Sequence, residues 1–322
     1  MMVNVTSKIR RNLVVVRAGK DSLHSQWLDA GQDRNWDLVV SLYDPDAEFD
    51  HDDEILVVKC RGGKWDGLYE FFSKSDVLRR YEYIWLPDDD IVTRSRDIDA
   101  LFDAMRRFNL CIGQPSLTRD SFYTHFVLLS CPGFQLRFTN FIEIMVPCLE
   151  VGLLKIVLED FRGSMSGYGM DSIWCRLSHE PFYKSAIFDQ IAVRHTRPIG
   201  GSLRVNMTKH GYTAQDEGRT LRARYQVRGK TRPLIYAAIS ARGRLNVGCK
   251  RLGLTMALGY LTVYRQFAVQ EHAIWKIFQL LRRQFAERLD LSALQREPPL
   301  TPGAADKGRA DHAGEGADRG QK

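Results

Sequence analysis

Short apolar runs separated by polar, helix-period segments constrain this chain more than any other feature. Asn12 to Arg17 (NLVVVR), Trp36 to Tyr43 (WDLVVSLY), Ile55 to Cys60 and Tyr83 to Leu86 are apolar nearly throughout, the pattern of strands buried on both faces. Between them, Ser22 to Asn35 carries Leu23, Trp27, Leu28 and Ala30 at plausible helical positions, and Trp65 to Arg80 does the same with Leu68, Phe71, Phe72, Val77 and Leu78. Asp97 to Phe108 predicts an amphipathic helix with Ile98, Leu101, Phe102 and Met105 on one face. Leu110 to Gly113 adds a fifth strand. Buried strands alternating with helices predict an α/β fold, a mostly parallel sheet with helices on both faces.

The pattern changes from Phe122 onward. Phe122 to Ser130 and Leu136 to Val146 read as strands or strand–helix junctions, and Ile142 to Leu154 as a helix interrupted by Pro147. Asp171 to Leu177 should open a helix after the glycine-rich SGYGMD. Ala268 to Leu294 predicts a late helix with Ile274, Ile277, Phe278, Leu281 and Phe285 as its core face. The expected organisation is a first domain over 1–200, a basic and mainly helical C-terminal region over 201–295, and a disordered tail over 296–322, rich in Pro, Gly, Ala and charge.

The net charge of +7 is concentrated. From Arg197 to Arg251 only Asp216 and Glu217 oppose a dense run of Arg and Lys. Such a field suits a polyanion, a nucleotide phosphate or an anionic membrane face. Nucleic acid is not expected, because no DNA- or RNA-binding module has the right spacing. The 6 cysteines are scattered without a C-x-x-C pair, which argues against a zinc knuckle or a disulfide framework and fits a reducing compartment. The N-terminal apolar run is too short and strand-like for a signal peptide, and Leu252 to Tyr264 falls short of the ~20 residues needed to span a bilayer. A cytoplasmic location is expected, with peripheral attachment at the inner face of the membrane left open.

The fourth strand runs straight into three aspartates, YIWLPDDDIV. In open α/β sheets ligands bind beyond the carboxyl ends of strands, where Asp88, Asp89 and Asp90 fall. Alternate aspartates project the same way along an extended chain, so Asp88 and Asp90 suit a hard divalent cation. The alternative is a solvated turn with a helix-capping aspartate. Two further motifs bear on the choice. In Ser166-Gly167-Tyr168-Gly169-Met170-Asp171 the glycines would let backbone approach a ligand, with Asp171 either capping a helix or pointing into a cleft. In Val193-Arg194-His195-Thr196-Arg197-Pro198, His195 is either structural or a third ligand for Mn²⁺, with Arg194 or Arg197 near phosphate.

In this order, KWDGLYEFF, YEYIWLPDDDI, CIGQPSL, IEIMVP, SGYGMDSIW and AVRHTRP resemble the family of domain of unknown function 707, over roughly Asn12 to Gly200. The acidic cluster, the glycine–aromatic–glycine loop and the late histidine also resemble nucleotide-sugar-dependent glycosyltransferases of the GT-A fold. That resemblance implies a GT-A-like, Rossmann-like domain that transfers a sugar from a nucleotide-diphosphate sugar donor to a carbohydrate or glycoconjugate acceptor. It implies Mn²⁺ or Mg²⁺ on Asp88, Asp90 and His195, and Asp171 as the base. Met170 stands where such enzymes often carry a second acid, so Asp171 would act without a partner. Arg17 and Lys59 at strand ends, with Asp88, Asp89 and Arg197, are the expected donor contacts. The rival classes are another metal-dependent phosphate enzyme, a nucleotidyltransferase or phosphohydrolase, and a non-catalytic carbohydrate- or nucleotide-binding protein.

Overall fold

The computed structural model describes residues 10–294 apart from 30–32, 45, 48, 50–54, 179, 201–206, 208–210, 212, 228–230 and 268–269. The expected disordered tail lies outside the described residues. The apolar runs form strands β1 (Asn12–Ala18), β2 (Trp36–Leu42), β3 (Leu56–Lys59) and β4 (Tyr83–Trp85). They pair in parallel in the order β3-β2-β1-β4, with Asn12 opposite both Trp36 and Tyr83. Every residue of β1 is buried, so both faces of the sheet are covered at its centre.

Helix α1 (Lys64–Lys74) and the short α2 (Val77–Arg80) replace the single helix expected to Arg80, the chain being extended at Ser75 between them. Two-residue β5 (Ile91–Val92) follows the aspartates, then α3 (Ser95–Arg107) buries Ile98, Leu101, Phe102 and Met105 as its periodicity requires. The segment Ser22 to Asn35 departs from expectation: its described residues contain one 3₁₀ turn, His24–Trp27. Tertiary bonds override the local pattern there, with Leu23 N donating to the Asp89 carbonyl at 2.7 Å and the Trp27 indole donating to the Ile91 carbonyl at 2.7 Å.

The remaining strands are β6 (Ile112–Leu117), β7 (Phe134–Thr139), β8 (Cys148–Glu150), β9 (Ser185–His195), β10 (Ile235–Ser240) and β11 (Leu245–Val247). The full order is β11-β10-β7-β9-β6-β8-β4-β1-β2-β3, with β5 paired to β9 off this path. The ladders orient β1, β2, β3, β4, β6, β9 and β10 one way and reverse β7, β8 and β11. The sheet is therefore parallel on the β1 side and mixed beyond β4. After 201 the described residues add β10 and β11 to the same sheet, and their other elements are mostly helical.

The helix expected over Ile142 to Leu154 is instead loop, β8, and then α4 (Val151–Phe161). Pro147 offers no N–H and pushes Val146 out of helical geometry. Helix formation waits for Glu150, whose carboxylate accepts from Leu153 N at 3.2 Å. The predicted helix from Asp171 is two single 3₁₀ turns, Met170–Ser172 and Trp174–Arg176. Phe122 to Ser130 contains a 3₁₀ turn at Phe126–Leu128 in place of a strand.

Three later helices follow: α5 (Ala214–Arg224), α6 (Cys249–Thr262) and α7 (Gln270–Ala286). The core face expected for α7 needs correction. Ala273, Ile277, Leu280 and Gln284 are buried, while Ile274, Phe278 and Phe285 are exposed. Under these helices Arg137 and Asp189 form a fully buried pair, Nε to Oδ2 2.7 Å, and Arg137 also donates to the Val127 and Leu129 carbonyls. All six cysteines are free.

Candidate active site

The chain leaves β4 through Leu86 and Pro87, and Asp88 N donates to the Met145 carbonyl at 2.9 Å. The two residues of β5 then pair antiparallel with the end of β9, Ile91 opposite His195. That bridge carries His195 to Asp90. Thr196 clamps the junction, its N and Oγ1 both donating to the Asp90 carbonyl at 3.2 and 2.8 Å. One ligand atom from each of Asp88, Asp90 and His195 lies within 4.8 Å of the others.

Each aspartate has separate company. Asp88 Oδ1 accepts from Lys64 Nζ at 2.6 Å, and Lys64 also donates to the Ile144 and Met145 carbonyls. Burial raises the Asp88 carboxyl, and Lys64 pulls it only partly back. Asp89 points away from the cluster and accepts from Gly19 N at 3.0 Å, Tyr43 Oη at 3.2 Å and Arg197 at 3.1 Å. Asp90 Oδ2 lies 3.1 Å from His195 Nε2. Burial opposes its charge, but the hydrogen bond and charge of His195, with Arg197 behind, hold its carboxyl below the ordinary value. The same pairing outweighs burial at His195 and raises the imidazole.

These residues fit a divalent cation on three grounds. Among the described residues no donor reaches Asp90 Oδ1, a buried oxygen. His195 Nδ1 sits 3.0 Å from the Phe122 carbonyl, which only accepts, so the proton is on Nδ1 and Nε2 is the ligating nitrogen once it loses its own. Two carboxylates and one imidazole are also a donor set that suits a divalent cation.

A cavity of about 800 Å³ opens beside the cluster, lined by Lys64, Asp88 and His195 on one side and by Thr124, Glu143, Ser166, Tyr168 and Asp171 among others. Asp90 is buried and is not part of that lining. Glu143 is a residue that sequence reasoning passed over. Its backbone N donates to Gln114 Oε1 at 2.7 Å, and its Oε2 accepts from the Thr124 hydroxyl. Burial, only partly offset by Thr124, pushes its carboxyl up to about 7. Asp171 is raised well above the usual range by burial and by the charge of Glu143, against hydrogen bonding from Ser172 and Gly169. The only available signal for Glu143 was a lone acid in the apolar run FIEIMVP. Asp171 thus has an acidic partner, supplied by a different segment from the one expected.

The glycine loop lines the cavity through Met165, Ser166, Tyr168 and Asp171, and its glycines pack closely against other protein segments. Gly167, at φ 69°, leaves room for the Trp65 ring, since a Cβ there would lie 2.1 Å from Trp65 Nε1. Gly169 meets Gly218 of α5 in the same way, with 3.1 Å from an added Cβ to the Gly218 Cα. Glu217 accepts from Ser164 Oγ, Met165 N and both polar groups of Ser166. The glycines serve packing of the loop, which Glu217 then ties to α5.

Arg17, Lys59, Asp89 and Arg197, the other expected donor contacts, are not among the residues lining this cavity. Arg17 is buried, its guanidinium donating to Ser41 Oγ and the Gly62 carbonyl, both at 2.8 Å, outside the cavity lining. Lys59 is exposed on the outer strand β3. Arg197 is engaged with Asp89 and the Asp21 carbonyl.

No protein-family model matches this chain, and no curated protein matches it either. The resemblance to domain of unknown function 707 is thus not confirmed by a family model. Among solved structures, S. aureus TarS 1-349 in complex with UDP-GlcNAc aligns at TM-score 0.40 and 10% identity, covering 85% of this chain and 72% of that one. The 4-diphosphocytidyl-2C-methyl-D-erythritol synthase of Anaerococcus prevotii aligns at TM-score 0.36 and 10% identity, over 66% of this chain and 95% of that one. At this level the likeness is one of general outline, and the functional reading rests on the site itself.

Proposed function

We propose that this chain is a metal-dependent glycosyltransferase that moves a sugar from a nucleotide-diphosphate sugar to a carbohydrate or glycoconjugate acceptor. The observation that carries the reading is the convergence of Asp88, Asp90 and His195, from the ends of two different strands, beside an 800 Å³ cavity with a second pair of carboxyls. In this reading Asp88, Asp90 and His195 hold Mn²⁺ or Mg²⁺. When bound, the ion neutralises charge developing on the leaving diphosphate. The Phe122 carbonyl keeps His195 in the ligating tautomer, and Lys64 adds a fixed positive charge beside the same site. Glu143 and Asp171 act as a coupled pair. Glu143, whose carboxyl stands at about 7, takes the proton of the acceptor hydroxyl, while Asp171, raised well above the usual range, orients it.

Incubating the full chain with Mn²⁺ and a panel of UDP- and GDP-sugars tests this directly. Release of nucleoside diphosphate that depends on Mn²⁺ is expected. Pyrophosphate or inorganic phosphate as the product would instead place the chain among nucleotidyltransferases or phosphohydrolases, and binding without turnover would make it a binding protein.

A further inference from the structure

Helices α6 and α7 expose an apolar face that the sheet beneath them does not use. In α6, Leu254, Leu258 and Leu261 follow one another at helical spacing, while Leu252, Met256 and Tyr260 face the core. In α7, Ile274, Phe278 and Phe285 form a matching stripe beside the exposed Trp275. Leu258 is 65% and Phe278 62% exposed, values that core packing does not account for. The helices touch closely, since a Cβ added at Gly253 would lie 2.7 Å from Gln284 Cβ and 3.5 Å from Leu281. Lys250 Nζ stands 5.9 Å from the centre of the Phe285 ring. The start of α6 therefore meets the end of α7, and the two stripes run antiparallel, side by side on one surface. A contiguous apolar patch of this kind marks an interaction site.

Charge around the patch selects what covers it. Between residues 241 and 286 Glu271 is the only acid, whereas Lys250, Arg251, Arg265, Lys276, Arg282 and Arg283 are basic. A second copy laid on the same face would set these cations against one another. Residues 296–322 have Leu300 as their only large apolar side chain and cannot fill the stripes. No helix among the described residues is long and apolar enough to cross a membrane. An apolar stripe with an indole and a basic surround suits the interface of a bilayer with anionic headgroups.

We propose that the α6–α7 face docks this protein on an anionic bilayer, both helices lying in the plane of the interface. Leu254, Leu258, Ile274 and Phe278 enter the acyl boundary, Trp275 sits at headgroup level, and Lys250, Arg251 and Arg282 meet the lipid phosphates. This holds whatever reaction the cavity performs.

Co-sedimentation of the full chain with vesicles provides the test, using phosphatidylcholine alone or mixed with phosphatidylglycerol. Binding to the mixed vesicles that weakens as salt rises is expected, with little binding to phosphatidylcholine alone. The double substitution Leu258→Ser and Phe278→Ser should weaken binding to mixed vesicles by at least about 10-fold. Lys250→Glu with Arg282→Glu should weaken it to a similar degree, about 10-fold, at low salt. Both pairs are exposed, so thermal midpoints should not move, and Trp275→Ala substitutes for any variant that melts early. The proposal is overturned if the wild-type chain fails to sediment with mixed vesicles at low salt, or if both variants bind as it does. A wild-type dimer that Phe278→Ser converts to a monomer, without vesicle binding, would overturn it in favour of self-association.

Discussion

The metal cluster and the pair of carboxyls near it hold the same kind of group in different company. In the cluster Asp88 lies 2.6 Å from Lys64 and Asp90 3.1 Å from His195. No ion pair reaches Glu143 or Asp171 among the described residues: Glu143 accepts from the Thr124 hydroxyl, and Asp171 meets groups of Ser172 and Gly169. Burial favours the neutral acid at all four, and the partners decide how far it prevails. Asp90 ends below its ordinary value, Asp88 stays raised although Lys64 pulls it back, Glu143 reaches about 7 and Asp171 is raised well above the usual range. Asp90 is set to present negative charge to a cation, and Glu143 to hold and release a proton. Two environments separate two roles for one functional group.

Removing the proton acceptor should produce the largest effect. Glu143→Gln is expected to lower Mn²⁺-dependent donor turnover by roughly 10²–10⁴-fold while nucleotide binding stays intact. Steady-state kinetics beside calorimetric titration with UDP separates the two. Equal loss of both would mean that Glu143 supports the cavity instead of the chemistry. Asp171→Asn should keep more activity, since an amide still orients an acceptor hydroxyl. A greater loss at Asp171 would exchange the two roles.

Stability against pH sharpens the contrast next. The folded-state value of Glu143, about 7, stands above the ordinary 4.5, so the folded state binds the proton more tightly. Its contribution is complete below about pH 4.5 and is lost as pH rises through 7, a difference of about 3 kcal/mol. Subtracting the denaturation profile of Glu143→Gln from that of the wild type should leave a curve falling across this window and flat on either side. A flat difference throughout would place Glu143 in a better solvated setting than the fold implies.

The smallest effect comes from making Asp88 resemble the carboxyls that have no ion pair. Lys64→Met removes the ammonium from Asp88, and the Asp88 carboxyl should rise further. The stability cost should be about 1 kcal/mol, because a third of the Asp88 side chain meets cavity water that screens the pair. Urea denaturation measures it, and a cost several times larger would show that the pair is shielded from that water.

Much of the architecture was readable from local pattern. β1, β2 and β4 follow from apolar runs with no polar interruption at their centres, and α3 from one unambiguous stripe. The same logic failed where a segment offers two answers. Residues 273, 277, 280 and 284 form the buried stripe of α7 with Leu281 packed at its edge, while Ile274, Phe278 and Phe285, more apolar as a set, are left outside. Periodicity cannot choose between faces when neither is clearly polar. At the site, the aspartates were visible because three acids follow a buried strand, and a short β5–β9 bridge sets His195 beside them. Lys64 and Glu143 were invisible because neither is unusual in its own segment. They acquire a role only when the loop before β8 folds over the N-terminus of α1. The glycines of the Gly167–Gly169 loop marked a close backbone approach, but sequence does not say to what: here it is to Trp65 and Gly218, in a loop that also lines the cavity.

Calorimetric titration of Mn²⁺ into the wild-type chain and into Asp90→Asn tests the metal assignment most directly. One ion is expected to bind the wild type, more tightly as pH rises and His195 gives up its proton, since a ligating imidazole must be neutral. Asp90→Asn should weaken that binding by about 100-fold or more while the thermal unfolding of the metal-free protein stays cooperative. Mn²⁺ binding of equal strength in both proteins, or none in either, would contradict the account.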